Sequence, residues 1–137
     1  MKMHTTNYEN TLVEIAEDCP TQEGQEPPLK GDKRSVANHQ YEMLIDHPYQ
    51  FTSDDVFFMV FATRNEIDEN NLASEREKFF SKGQPCFSAS PLTKRYGWGV
   101  HSDANGKVAI YGAESPEYQK LLSDQSVMKV KAMKSKR

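Results

Sequence analysis

The sequence predicts a single α+β domain: a small antiparallel sheet that includes a 95–112 hairpin, packed with three or four helices. Three observations carry this prediction. Two segments of period-two alternation flank Asn105-Gly106. Ala37, Tyr41, Leu44 and Ile45 recur at helical spacing behind Asp32 and Ser35. Capping residues stand before further apolar runs at Thr52, Asn71 and Ser115. A chain of 137 residues is long enough for one core, and a 36% apolar share predicts a modest core with long polar connections.

The hairpin is fixed by parity. Its first arm sets Tyr96, Trp98 and Val100 on one side and Arg95, Gly97, Gly99 and His101 on the other. The second arm sets Val108 and Ile110 against Lys107, Ala109 and Tyr111. A two-residue Asn105-Gly106 loop would strand Val108 and Ile110 beside His101. A three-residue Ala104-Asn105-Gly106 loop, with Gly106 at positive φ, keeps Tyr96, Trp98, Val100, Val108 and Ile110 together, and is the predicted one. The opposite face is then nearly bare, with Gly97, Gly99 and Ala109 edged by Arg95, His101 and Tyr111. Glycine inside a strand marks a bend, a tightly packed helix or the close approach of a ligand. The ligand reading makes Arg95, Gly97, Gly99, His101 and Tyr111 the candidate binding residues, with Arg95 gripping an anion and Tyr111 or Trp98 offering a ring.

Along the chain, Thr11–Glu17 reads as a strand. Residues 18–34 hold Pro20, Gly24, Pro27, Pro28 and Gly31, too little apolar matter for a regular element, and are expected as a loop that covers the site. The helix that follows starts at Asp32 or Ser35 and stops at His47-Pro48. Thr52-Ser-Asp-Asp55 caps a second helix, with Val56, Phe57, Val60 and Phe61 on one side and its end near Arg64; a buried strand is the alternative. Asn71 or Ser74 caps a third, bearing Leu72, Arg76, Phe79 and Phe80 and ending before Gly83 and Pro85. Cys86–Ser90 reads as a short strand. Ser115-Pro116 opens a last helix through about Leu122. The domain is drawn at 1–125. The 126–137 tail is basic, with Lys129, Lys131, Lys134, Lys136 and Arg137, and is either an edge strand, from the alternation of Met128, Val130 and Ala132, or a disordered segment.

Composition bounds the chemistry. A net charge of −3 and a pI near 5.8 argue against a general nucleic-acid binder. Lys94, Arg95 and Lys107 do interleave with Tyr96, Trp98 and Tyr111, but the register turns Tyr96 and Trp98 to the apolar face and removes the stacking platform. The first residues lack an apolar stretch and the longest apolar run is Val56 to Ala62, so neither a signal peptide nor a membrane partner is expected. Cys19 and Cys86 lie outside any metal-ligand spacing, which suits a reducing cytoplasm. His4, His39, His47 and His101 are scattered; no metal and no cofactor is expected. Cys86 with His101 is the one nucleophile–base pair worth naming, and Phe87 beside the thiol argues for burial. Asp54 and Asp55 are adjacent, so on a helix they diverge, and capping explains them.

The segments Met3-His-Thr-Thr-Asn-Tyr8, Lys30-Gly-Asp-Lys33, Thr52-Ser-Asp-Asp-Val56 and Phe79-Phe-Ser-Lys-Gly-Gln84 carry a family resemblance, as above all does Ser90-Pro-Leu-Thr-Lys-Arg-Tyr-Gly-Trp-Gly99 with His101. The chain resembles a family of short, uncharacterised bacterial and fungal proteins, each a single domain of unknown function. The resemblance implies one domain and brings no activity. The expectation is therefore a non-catalytic cytoplasmic domain that binds a small anionic molecule or a protein partner over the hairpin. The alternative is a small enzyme with His101 as general acid or base and Arg95 holding an anion in the same cleft. Nucleic-acid binding is the lesser alternative.

Overall fold

The computed structural model describes residues 3–135. Its centre is a mostly antiparallel five-stranded sheet in the order β2-β4-β3-β1-β5. The strands are β1 (Thr11–Glu14), β2 (Phe51–Thr52), β3 (Trp98–Ser102), β4 (Lys107–Gly112) and β5 (Met128–Lys131). Four longer helices accompany it: α1 (Val36–Ile45), α2 (Ser53–Arg64), α3 (Leu72–Phe80) and α5 (Pro116–Ser123), with one short turn of helix, α4 (Pro91–Lys94). The predicted α+β class is the observed one.

The parity argument holds. Val100 pairs with Ile110, Ser102 with Val108 and Trp98 with Gly112, so the indole shares its side with Val108 and Ile110. Asp103 donates its N–H to the Lys107 carbonyl at 2.9 Å, which leaves Ala104, Asn105 and Gly106 as the loop. Gly106 takes φ +79, where a side chain would be strained. β1 lies antiparallel to β3 (Leu12 opposite His101, Val13 opposite Val100) and β5 runs parallel to β1 at the edge. β5 thus falls inside the basic tail; Lys136 and Arg137 of that tail, and Met1-Lys2, lie outside the described residues.

Each face has its own cover. α1 packs on the Trp98 side, where the Tyr41 and Trp98 rings lie 5.6 Å apart. α5 packs on the other, with Tyr118 over Gly99 and Leu12 and its hydroxyl accepting the Ile15 N–H at 3.1 Å. Two of the predicted caps form boxes, Ser35 with Asn38 at the start of α1 and Thr52 with Asp55 at the start of α2, and Ser115 caps α5, whereas Asn71 precedes α3 without a side-chain cap bond. Asp54 turns the other way and takes hydrogen bonds from the Thr5 hydroxyl and the Thr6 N–H, both 2.6 Å. α2 and α3 share a second apolar cluster of Phe58, Ala62 and Phe80. Arg76 spans it, bonded to Asp55 at 3.0 Å and lying over the Phe58 and Phe80 rings.

Four expectations are corrected. Cys86–Ser90 is not a strand: Phe87–Ala89 forms a 3-10 turn, because the Thr93 hydroxyl donates to the Phe87 carbonyl at 2.6 Å and Ser90 is already capping α4. The strand of the first hairpin arm begins at Trp98 rather than Arg95, since Pro91 starts a helical turn and Gly97, at φ +77, ends the connection from it. The first strand stops at Glu14. α3 is capped at Ser81, two residues before the glycine expected to end it.

Candidate functional site

The five predicted site residues do not form one surface. Arg95 caps the C-terminus of α4, donating its N–H to the Pro91 carbonyl at 2.8 Å, and is exposed ahead of the strand. Gly99, His101 and Tyr111 do share a face, as their pairing requires: Gly99 lies opposite Tyr111 and His101 opposite Ala109. That face carries α5, whereas Arg95 sits beside the start of α1 on the other side of the sheet. Arg95 and His101 therefore do not share a cleft.

Nor is the glycine strip open. A methyl group added to Gly99 would overlap the Tyr118 ring, and one added to Gly97 would overlap the Glu23 carbonyl. The close approach that the glycines permit is made by the chain itself. The 18–34 loop is pinned over Gly97 and Trp98. The Gln25 N–H donates to the Tyr96 carbonyl at 2.9 Å, the Trp98 indole N–H to the Gln25 carbonyl at 2.8 Å, and the Gly24 N–H to Glu114 at 2.7 Å. Pro27 is fully buried and its carbonyl accepts from the buried Asn38 side chain at 2.8 Å. The loop was expected to cover a binding site; what it lies against is backbone and the Trp98 indole.

His101 and Tyr111 meet a third side chain that sequence reasoning missed. The Tyr49 hydroxyl lies 2.8 Å from His101 Nδ1 and 3.0 Å from the Tyr111 hydroxyl, and its ring stands edge-on to the imidazole. Tyr49 reaches there from the turn between α1 and β2 with φ +60, a conformation that costs a non-glycine residue energy. No periodicity announces it. Burial pushes the His101 imidazole below its ordinary value, against Asp103 and Asp124, which pull it up. Burial, then the bond to Tyr111, pushes the Tyr49 phenol up. The His101 and Tyr49 rings are neutral near pH 7, and with Tyr111 they form a hydrogen-bonded polar knot on the α5 side of the sheet rather than a mouth.

Arg95 instead lines a groove of about 550 Å³. Lys30, Lys33 and Arg34 reach it from the end of the loop, Arg64 from the end of α2, and Lys94 and Arg95 from the end of α4. Six cations line it and no carboxylate does. The first turn of α1 forms part of its wall through Ser35, Val36, Ala37 and Asn38. The capping box occupies the Ser35 and Asn38 N–H groups. Those of Val36 and Ala37 have no intrahelical acceptor by the geometry of a helix start, so the dipole adds to the positive potential there. Pro28, Ala89, Pro91 and the Tyr96 ring supply the apolar part of the wall. The basic character of Lys30–Arg34 was visible in the sequence, but its convergence with Arg64 and Lys94-Arg95 depends on tertiary packing.

Cys86 pairs with neither His101 nor Cys19; its sulfur lies 3.2 Å from the Tyr8 hydroxyl and 3.0 Å from that of Ser88. Burial raises its pKa, but the bonds from Ser88 and Tyr8 outweigh this and hold the thiol below its ordinary value. No group of three or more His, Cys, Asp or Glu suited to a metal ion occurs among the described residues. Among the same residues, no helix is long and apolar enough to cross a membrane.

Against this geometry stands one family match. The profile of a family of unknown function, DUF6157, fits residues 3–137, almost the whole chain. The chain belongs to that family. No curated protein and no solved structure matches it. For this DUF6157 chain the groove and the three-ring knot are thus the two features from which a function has to be argued. Of the two, the groove is the one that presents charge: among the described residues, Lys30, Lys33, Arg64, Lys94 and Arg95 have no ion-pair partner.

Proposed function

We propose that this DUF6157 chain is a non-catalytic binding module whose ligand is a small anion, held in the groove at the start of α1 by Lys94 and Arg95 with the Lys30–Arg34 segment and Arg64. One observation carries the reading: six cations face a single cavity that no carboxylate enters. In a chain of net charge −3 those six leave a net −9 on everything else, so the positive potential is local and not a property of the whole surface. Two segments that carry the family resemblance, Lys30–Lys33 and Ser90–Gly99, supply Lys30, Lys33, Pro91, Lys94, Arg95 and Tyr96 to the wall. Binding rather than catalysis follows from what is missing there: no imidazole, thiol or carboxylate lines the groove to move a proton or attack. A cytoplasmic location goes with this reading, since both cysteines are free thiols suited to a reducing compartment.

Titration calorimetry with pyrophosphate at low salt tests it. The wild-type chain is expected to bind, and the double charge reversal K94E/R95E to weaken binding by more than about tenfold, with the circular dichroism spectrum unchanged. Equal affinities in the two proteins would remove the groove from consideration.

A further inference from the structure

We infer that the ligand of this groove carries several linked phosphates rather than one anionic group, an inference that rests on the anion-binding reading above. The cations arrive from three separate parts of the fold: the segment before α1, the last turn of α2 and the end of α4. No one element supplies them all. Of the six, only Arg34 has an ion-pair partner among the described residues. Its Nε lies 2.9 Å from both Glu42 oxygens, which holds the guanidinium from behind and leaves its two terminal nitrogens for a ligand. Five further like charges around one cavity repel each other. A single phosphate is saturated by two or three donors at one wall and leaves the other cations unpaired. A di- or triphosphate spans from one wall to the next and neutralises them together.

The same features set an upper bound on ligand size. The groove has the volume of a small-molecule site. The rest of the chain is net negative, so a long polyanion laid across it would meet repulsion on leaving the cavity. The phosphate chain is the chemistry recognised; inorganic polyphosphate and a nucleoside triphosphate both present it, and the latter adds a ring of a kind that Tyr96 can meet.

The full chain is titrated with orthophosphate, pyrophosphate, tripolyphosphate and ATP at matched ionic strength. Affinity is expected to rise about tenfold or more from orthophosphate to tripolyphosphate. K33A, R64A and K94A, one from each wall, are each expected to weaken tripolyphosphate about threefold or more while leaving the melting temperature unchanged. ATP binding at least as tightly as tripolyphosphate supports a nucleotide as the source of the chain, and weaker ATP binding supports a non-nucleotide polyphosphate. Equal affinity for all the phosphates overturns the inference but leaves the anion site standing. No binding of any of them overturns both. A single-stranded oligonucleotide that displaces tripolyphosphate at equal phosphate concentration overturns the inference in favour of nucleic acid.

Discussion

His101 sits half-buried under the edge-on ring of Tyr49, and its imidazole is held below its ordinary value by that burial. The consequence for stability has a definite sign. Between the depressed native value and the ordinary one near 6.5, the unfolded chain takes up a proton that the native chain does not. Stability from His101 is therefore fully present above pH 6.5 and falls as the pH drops through that window; Asp103 and Asp124 reduce the effect without reversing it. Chemical denaturation at several pH values should show H101F losing less stability than the wild type on acidification from pH 7 to pH 5. Parallel losses in the two proteins would mean that the imidazole titrates freely. At this scale the sequence was partly legible. Parity placed His101, Gly99 and Tyr111 on one face, since alternation is a local property of strands. Tyr49 was illegible because it enters from an irregular turn at φ +60, which no local rule favours for tyrosine. Arg95 was singled out as the anion holder of the hairpin site, and it is exposed at the end of α4. It was wrongly aligned with His101, because Pro91 and Gly97 turn the chain between them.

The hairpin and α5 are locked together through one missing methyl group. Gly99 lets the Tyr118 ring rest on the β3 backbone, and the Tyr118 hydroxyl in turn caps the Ile15 N–H just beyond β1. G99A should cost about 1–3 kcal/mol by overpacking, read as a lowered midpoint in urea. A variant as stable as the wild type would show that Tyr118 yields readily and that the strip can open. The helices were the most legible elements, because Ser35, Thr52 and Ser115 each announce a start through side-chain chemistry that acts within three residues. The turn at Phe87–Ala89 was not, because its geometry follows from hydrogen bonds of Thr93 and Ser90 that a pattern of apolar residues does not record. β2, at two residues, is too short to alternate. β5 forms at the sheet edge, but its burial does not alternate, Met128 being exposed, and nothing local indicates that it would lie parallel to β1.

Over the whole molecule, the sheet separates two kinds of surface. On the α5 side, polar rings are tied to one another and glycines are filled by the chain's own atoms. On the α1 side, beyond the docked 18–34 loop, six cations from three distant segments converge, and among the described residues only Arg34 has an ion-pair partner, Glu42. The sequence contained every one of those cations but no sign of their meeting, since Arg64 and Lys94 are brought together only by the packing of α1 against α2 and α4. The central claim is that a visiting anion enters on the α1 side and not over the glycines of the hairpin. The most direct measurement is a map of backbone amide chemical shifts during a titration with tripolyphosphate. The account predicts shifts at Val36, Ala37, Lys94 and Arg95 that saturate together, with Gly99, His101 and Tyr111 unmoved; saturable shifts centred on His101 and Tyr111, with the start of α1 silent, would contradict it.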